Sequence, residues 1–239
     1  MSQTAFELAE EFQTPVFVMT DLDLGMNNWM SDAFPYPDQP IRRGKVLTAA
    51  DLERLGGFAR YKDVDGDGVG YRTLPGTDHP AAGYFTRGSG HNEKAQYTER
   101  PADYVQNVDR LARKFESIRA QAPRPEVVLN PNASIGIICY GTSRYAAEES
   151  RDQLRREYGL QTSYLRLKAF PFTRELRDFV ERHARVYLVE QNRDAQMAAL
   201  MRMELDPTLT GKLRSVRHYG GLPIDARTVT DEVLSQEGL

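Results

Sequence analysis

Ile135-Gly136-Ile137-Ile138-Cys139-Tyr140, followed at once by Gly141-Thr142-Ser143, is the stretch on which the fold turns. A short, nearly unbroken apolar run reads as a buried strand, and the glycine and two hydroxyl residues after it offer a turn and a helix N-cap. Ala146, Ala147, Ser150, Leu154 and Tyr158 then share one helix face, and Gly159 closes the helix as a left-handed residue does just past a helix end. The alternation continues downstream. Ser163–Leu167 reads as a second strand, Thr173 caps a helix bearing Leu176, Phe179 and Val180, and Val186–Glu190 reads as a third strand. Asp194 is placed to cap a helix bearing Met197, Leu200, Met201 and Leu205, and Ser215–Tyr219 is a further strand candidate before Gly220-Gly221. Strand and helix alternating at this spacing predict an α/β domain over residues 131–239, a parallel sheet with helices on both faces.

Residues 35–130 are a different kind of sequence, rich in Pro, Gly and Asp, with little periodicity until Tyr104–Ile118. There Val105, Val108, Leu111, Ala112, Phe115 and Ile118 mark one apolar helix face. The roughly 65 residues before that helix exceed an ordinary connection and predict an ordered, functional insertion. Tyr61, Tyr71, Tyr84, Phe85 and Tyr97 supply anchors that disordered chains usually lack. In residues 1–34, Ala5, Leu8, Ala9 and Phe12 recur at helical spacing, and Thr14-Pro15 breaks the helix. Val16-Phe17-Val18-Met19 reads as a short buried parallel strand leading into Asp21-Leu22-Asp23-Leu24-Gly25. A parallel strand without neighbours cannot satisfy its backbone, so the missing strands are expected from another chain or another part of the protein.

Composition narrows the function classes. Among 239 residues, 31 basic side chains face 34 acidic ones, for a formal charge of -3, which gives no footprint for a nucleic-acid partner. No apolar run approaches the ~20 residues that cross a membrane. The N-terminus carries Glu7, Glu10 and Glu11 where a signal peptide would be basic and then apolar, so the expectation is a cytoplasmic protein. Cys139 is the one cysteine. It cannot form an internal disulfide or hold an iron–sulfur cluster, and its apolar neighbours predict an inert core thiol.

Three clusters carry candidate chemistry. Asp63-Val64-Asp65-Gly66-Asp67-Gly68 resembles the opening of a calcium loop, with Asp63, Asp65 and Asp67 as metal-ligand candidates for Ca²⁺ or Mg²⁺. The pattern fails later, because Leu74 stands where an EF-hand needs a bidentate Glu, and a solvated turn is the competing reading. In Arg87-Gly88-Ser89-Gly90-His91-Asn92-Glu93, glycines allow close backbone approach, and Arg87 and His91 could hold a carboxylate or phosphate. Its competitor is a tight surface turn, and no lysine gives it Walker spacing. Glu190-Gln191-Asn192-Arg193-Asp194 follows a strand at the carboxyl end, where open parallel sheets bind ligands and partners. Arg87, His91, Asn92, Glu190, Asn192 and Arg193 are therefore the substrate or interface candidates. The chain shows no Ser–His–Asp order, Cys–His pair, zinc-ligand spacing or dinucleotide fingerprint.

Taken in order, Gln13–Val18 leading to Asp21–Gly25, Asp63–Gly68 with Tyr71–Gly76, Gly88–Glu93, Val189–Gln196 and Tyr219–Pro223 resemble the C-terminal portion of the α subunit of 2-oxoacid:ferredoxin oxidoreductases, nearest the 2-oxoglutarate type. The resemblance covers nearly the whole chain. It implies a reaction in which thiamine diphosphate attacks the 2-oxoacid, CO₂ leaves, electrons pass singly through iron–sulfur clusters to ferredoxin, and coenzyme A takes the acyl group. It implies that residues 131–239 resemble a transketolase C-terminal domain and that residues 1–34 resemble the tail of a pyrimidine-binding domain. Thiamine diphosphate with its Mg²⁺, and the cluster, would reside on a thiamine-binding β subunit. The remaining α-subunit domains would be further partners, and this chain alone would be inactive. The family's α subunit is usually much longer. Gly66-Asp67-Gly68 with Asn92 downstream mimics a thiamine diphosphate signature, but Ala59–Asp63 before it is mostly polar where an apolar strand should stand. No catalytic residue is carried over. The rival reading is a stand-alone binding module organised around a divalent metal at Asp63, Asp65 and Asp67.

Overall fold

The computed structural model describes residues 1–36 and 38–239. The chain divides into two units: residues 1–19 with 32–121, and residues 20–31 with 122–239. This partition differs from the three-part reading, since the first 34 residues are shared between the units.

The first unit opens with α1 (Ser2–Phe12), as its periodicity predicts. The run Val16–Met19 forms no strand and lies exposed. The physical reason is the one the sequence raised, that this run finds no strand to pair with. In residues 20–31, α2 (Leu22–Met26) is one short turn capped by Asp21. Back in the first unit, α3 (Ala49–Leu55) starts in a capping box of Thr48 and Asp51, and its Leu52 is fully buried. Around it the chain runs as loops joined by isolated bridges, Val46 with Arg72 and His91 with Tyr97.

The long helix α4 (Pro101–Gln121) forms where the periodicity places it. Its apolar stripe would normally face a core. Instead Val105, Val108 and Leu111 are exposed, while Arg110 on the polar side is buried. The cause is local. The neighbouring loops have backbone carbonyls with no ladder partner, and polar side chains of α4 supply them. Arg110 Nη1 donates to Gly68 O at 2.9 Å, Ser117 Oγ to Asp67 O at 2.8 Å and Lys114 Nζ to Gln13 O at 3.3 Å.

The second unit carries a five-stranded sheet: β1 (Glu126–Val128), β2 (Ile135–Tyr140), β3 (Thr162–Leu167), β4 (Arg185–Glu190) and β5 (Leu213–Arg217), ordered β1-β3-β2-β4-β5. The pairs β2–β3, β2–β4 and β4–β5 are parallel. The edge strand β1, which has no signal in the sequence reading, is antiparallel to β3, so the sheet is mixed rather than purely parallel. Helices α5 (Ser143–Tyr158), α6 (Arg174–Arg182), α7 (Gln196–Glu204), α8 (Pro207–Thr210) and α9 (Ala226–Glu237) complete the unit.

Side-chain alternation along each strand divides the core into two layers. Ile135, Ile137, Tyr164, Tyr187 and Val189 pack with Leu154 of α5 and Val229 and Val233 of α9. Ile138, Leu165, Val186 and Leu188 pack with Leu176 and Phe179 of α6 and Met201 of α7. Each such buried side chain contributes about 1.5–3 kcal/mol. Gly159 ends α5 in the left-handed region, as expected. Asp194 does not cap α7, whose N-cap position is Ala195, and the cap is supplied from further away.

Candidate functional site

The sheet order makes the crevice between the carboxyl ends of β2 and β4 a topological switch point. The connection from β2 runs outward to β3 on one side, and the next runs back past β2 to β4 on the other. Open α/β sheets hold ligands at such points. Tyr140 ends β2 and Glu190 ends β4, so the register brings both to the same edge.

Glu190 is fully buried. Its Oε2 accepts from Met197 N at 2.8 Å, Asn192 Nδ2 at 3.0 Å and Tyr140 Oη at 3.3 Å, and its Oε1 accepts from Ala198 N at 3.1 Å. This carboxylate is the distant cap of α7, supplying acceptors to first-turn amides that lack an intrahelical partner. Asn192 Oδ1 accepts from Gln196 N at 3.1 Å and its Nδ2 donates to Tyr140 Oη at 3.2 Å. Burial, followed by the charge of Glu190, pushes the Tyr140 phenol well above its ordinary pKa. Tyr140 therefore stays neutral and donating.

Asp21 completes the edge. Its Oδ1 accepts from Leu24 N at 2.9 Å, and its Oδ2 accepts from Thr142 Oγ1 at 2.6 Å and Thr142 N at 3.3 Å. Burial raises the Asp21 pKa, but the Thr142 hydroxyl and the Leu24 and Thr142 amides outweigh it and hold the carboxyl below its usual range. Gly141 has φ +59°, and a Cβ there would stand 3.2 Å from Asp21 Oδ2, so glycine keeps both the turn and the contact. Gln191 links the two sides: its Nε2 donates to Thr142 Oγ1 at 3.2 Å, and its Oε1 accepts from Ile224 N at 3.2 Å. Both oxygens of Glu190 are engaged, and their hydrogen bonds hold Tyr140, Asn192 and the first turn of α7 in place.

Of the predicted site residues, Glu190 and Asn192 meet here. Arg193 does not: it is exposed and pairs with its neighbour Asp194 at 2.7 Å. Tyr140, Asp21, Thr142 and Gln191 were not singled out as site residues, although the position of Tyr140 at the end of a predicted strand was a usable signal.

Arg87, His91 and Asn92 belong to the first unit, where they build their own turn. Arg87 N donates to Tyr61 Oη at 3.1 Å and its Nε to Ala95 O at 2.9 Å. His91 Nδ1 lies 2.8 Å from Ser89 O, and its ring packs on Tyr61 at 4.1 Å. Asn92 Oδ1 accepts from Lys94 N and Gln96 N at 3.0 and 3.1 Å.

In the aspartate loop the positive charge comes from the protein. Lys45 Nζ lies 2.6 Å from Asp65 Oδ2 and 2.7 Å from Asp67 Oδ1, and Arg113 Nε lies 2.9 Å from Asp63 Oδ2. Burial lowers the Lys45 pKa, but Asp65 and Asp67 more than reverse this and hold it above its ordinary value. Among the described residues, no group of three His, Cys, Asp or Glu could hold a metal ion. Cys139 is fully buried and donates to Tyr164 Oη at 3.3 Å.

Comparison with known proteins gives the following. No family model matches. The chain is 29% identical over 205 residues to the 2-oxoacid:ferredoxin oxidoreductase 2 subunit alpha of Aeropyrum pernix, covering 83% of this chain and 30% of that protein. It is 28% identical over 225 residues to the 2-oxoglutarate synthase subunit KorA of Methanothermobacter thermautotrophicus, covering 87% of this chain and 55% of that protein. The chain thus spans between about a third and about half the length of these curated relatives. A solved 2-oxoglutarate:ferredoxin oxidoreductase from Magnetococcus marinus, with 2-oxoglutarate, coenzyme A and succinyl-CoA bound, shares the fold at a TM-score of 0.78 and 24% identity, over 96% of this chain and 38% of that one. The resemblance is borne out: over most of its length this chain is similar to alpha subunits of 2-oxoacid:ferredoxin oxidoreductases.

Proposed function

We propose that this chain works as part of the alpha subunit of a 2-oxoacid:ferredoxin oxidoreductase of the 2-oxoglutarate type, supplying structural and interface elements in place of reacting groups. In this reading residues 131–239 act as a transketolase C-terminal-like domain and residues 1–34 continue a pyrimidine-binding domain. The observation that carries it is apolar surface built for cover. Val16–Met19 forms no strand, its four consecutive apolar side chains are all exposed, and Phe17 and Met19 are 84% and 85% exposed. Contiguous apolar surface of this kind marks an interaction site. The similarity to longer alpha subunits supports the same reading.

The residues present do not fit the cofactors that the family implies. Cys139 is single and buried, and the described residues offer no metal-binding group. In this reading thiamine diphosphate with Mg²⁺ and the iron–sulfur cluster reside on a thiamine-binding β subunit, with ferredoxin and coenzyme A meeting the assembled complex in the cytoplasm.

The test is reconstitution with the remaining α portion and the β subunit, assayed by coenzyme A-dependent reduction of a viologen dye with 2-oxoglutarate. Activity is expected only when all parts are present. Replacing Phe17 and Met19 by serine should abolish co-purification while changing the chain's own stability by less than about 0.5 kcal/mol each. Oxidation of 2-oxoglutarate by this chain alone would sink the proposal.

A further inference from the structure

The first unit contains a small cleft, about 50 Å³, lined by Phe12, Tyr61, Val69 and three basic side chains, Arg60, Arg110 and Lys114. Among the described residues, no acidic side chain lines it. Arg110 is 8% exposed, gives one hydrogen bond to Gly68 O, and has a buried Nε with no partner. The Nε of Arg60 is likewise buried and unpartnered. Lys114 Nζ reaches Gln13 O at 3.3 Å, a long contact with a neutral group. The Tyr61 ring lies beside both guanidinium groups, at 5.2 Å from Arg60 and 5.6 Å from Arg110. Asp63 acts on Arg110 from a distance, but its oxygens are taken by Arg113 Nε and Gly68 N.

Three cations gathered away from water repel one another, and an unpaired buried donor costs free energy. The Lys114 ammonium shows it: burial, then Arg110 and Arg60, pull its pKa below the ordinary lysine value. Burial, then Arg60, does the same to Arg110. The cations cannot relieve this by turning to a carboxylate within the cleft. A ligand carrying two negative charges on several oxygens would balance the charge of all three cations together.

We propose that this cleft binds a phosphate group, free or as the end of a phosphomonoester, with Arg60 and Arg110 donating hydrogen bonds and Lys114 adding a point charge. The site lies wholly within the first unit and is independent of the proposed oxidoreductase role. A monocarboxylate is a poorer match, since it brings one charge to three cations.

The test is thermal melting of the full chain at about pH 8, where phosphate is mostly the dianion. Inorganic phosphate, phenyl phosphate, acetate and chloride are compared at equal ionic strength. Phosphate is expected to raise Tm saturably, as a ligand of the native state must, while acetate and chloride do not. Arg60→Gln and Lys114→Met should each weaken phosphate binding at least about tenfold. These two carry the test because Arg110→Gln, at a buried position, risks the fold itself. Stabilisation by phenyl phosphate as well identifies the phosphoryl end of a larger ligand, whereas phosphate alone identifies the free ion. Either supports the site. Equal melting in phosphate, acetate and chloride overturns it, as does an undiminished phosphate response in both variants.

Discussion

Residues 122–239 satisfy their backbone with a sheet ladder and fill both faces with apolar side chains, whereas residues 32–121 satisfy theirs with side chains reaching into loops. In the sheet unit a strand position matters for the volume it buries. In the loop unit, position matters for how closely two backbones approach and which charge faces which. Gly68 shows the second mode, since a Cβ there would lie 2.3 Å from Lys114 N and 2.5 Å from Arg110 O. Leu188, fully buried between β4 and its helices, shows the first. Stability built on volume degrades gradually as atoms are removed, but stability built on approach fails at once when an atom is added.

The largest effect should come from adding that atom. Gly68→Ala combines a φ of +81° with backbone collision and should cost roughly 4 kcal/mol. Hydrogen exchange should show α4 and the 60–75 loop losing protection while β2–β5 keep theirs. Equal loss in both units would break the comparison. Next is Leu188→Ala, expected to cost about 3 kcal/mol in urea unfolding through lost burial and a residual cavity. A cost under about 1 kcal/mol would mean that the sheet core is looser than its packing.

Lys45→Met should cost about 1 kcal/mol, a modest figure because Asp65 and Asp67 are partly exposed. It should also create a response that the parent chain lacks, with Ca²⁺ raising Tm in the variant only. Equal Ca²⁺ stabilisation of the parent would show that Lys45 does not fill the cation's place.

The smallest effect is titration at Glu237, which pairs with Arg185 at 2.5 Å across α9 and β4. The Arg185 hydrogen bond, opposed by burial, holds its pKa below the ordinary glutamate value of 4.5 in the folded chain. The unfolded chain therefore takes up this proton first as pH falls. The pair's contribution is complete above pH 4.5 and fades as pH drops through the lower folded value. Glu237→Gln should flatten the acid limb of the stability curve by less than about 1 kcal/mol, with no change in its shape above pH 5 beyond a constant offset. An unaltered acid limb would remove the pair from the account.

The sheet unit was legible because its signals are periodic and local. Ile135–Tyr140 and Val186–Glu190 match β2 and β4 within a residue, and Gly159 ends α5 as read. α9 went unread although Asp225, Val229, Val233 and Gly238 carry its cap, face and stop. The misses have physical causes. Val16–Met19 has strand chemistry, but pairing is a property of neighbours rather than of the run itself. Asp194 looked like a cap by adjacency, but Glu190, six residues before the helix, reaches the amides of α7 through the fold. In α4 the hydrophobic period marked the helix, but nothing local marked the loop carbonyls that Arg110 and Ser117 reach. The basic cleft joins residues 50 positions apart in sequence, and Arg110 and Lys114 at i and i+4 look like an ordinary solvated stripe. Of the candidate site residues, the sequence singled out Glu190 and Asn192, but not the Tyr140 that a neighbouring strand brings to them.

The buried thiol of Cys139 makes the sheet unit its own timepiece. Burial pushes its pKa up to about 11, so as long as the strands stay closed it offers almost no thiolate to an alkylating reagent. With one cysteine in the chain, any labelling reports a single place, the middle of the sheet. Trp29, the one tryptophan, stacks on Tyr145 at 5.1 Å and reports the outer edge of the same unit through its emission. Chemistry at the centre and light at the rim would together time whether this unit opens in one motion or frays inward from its edge.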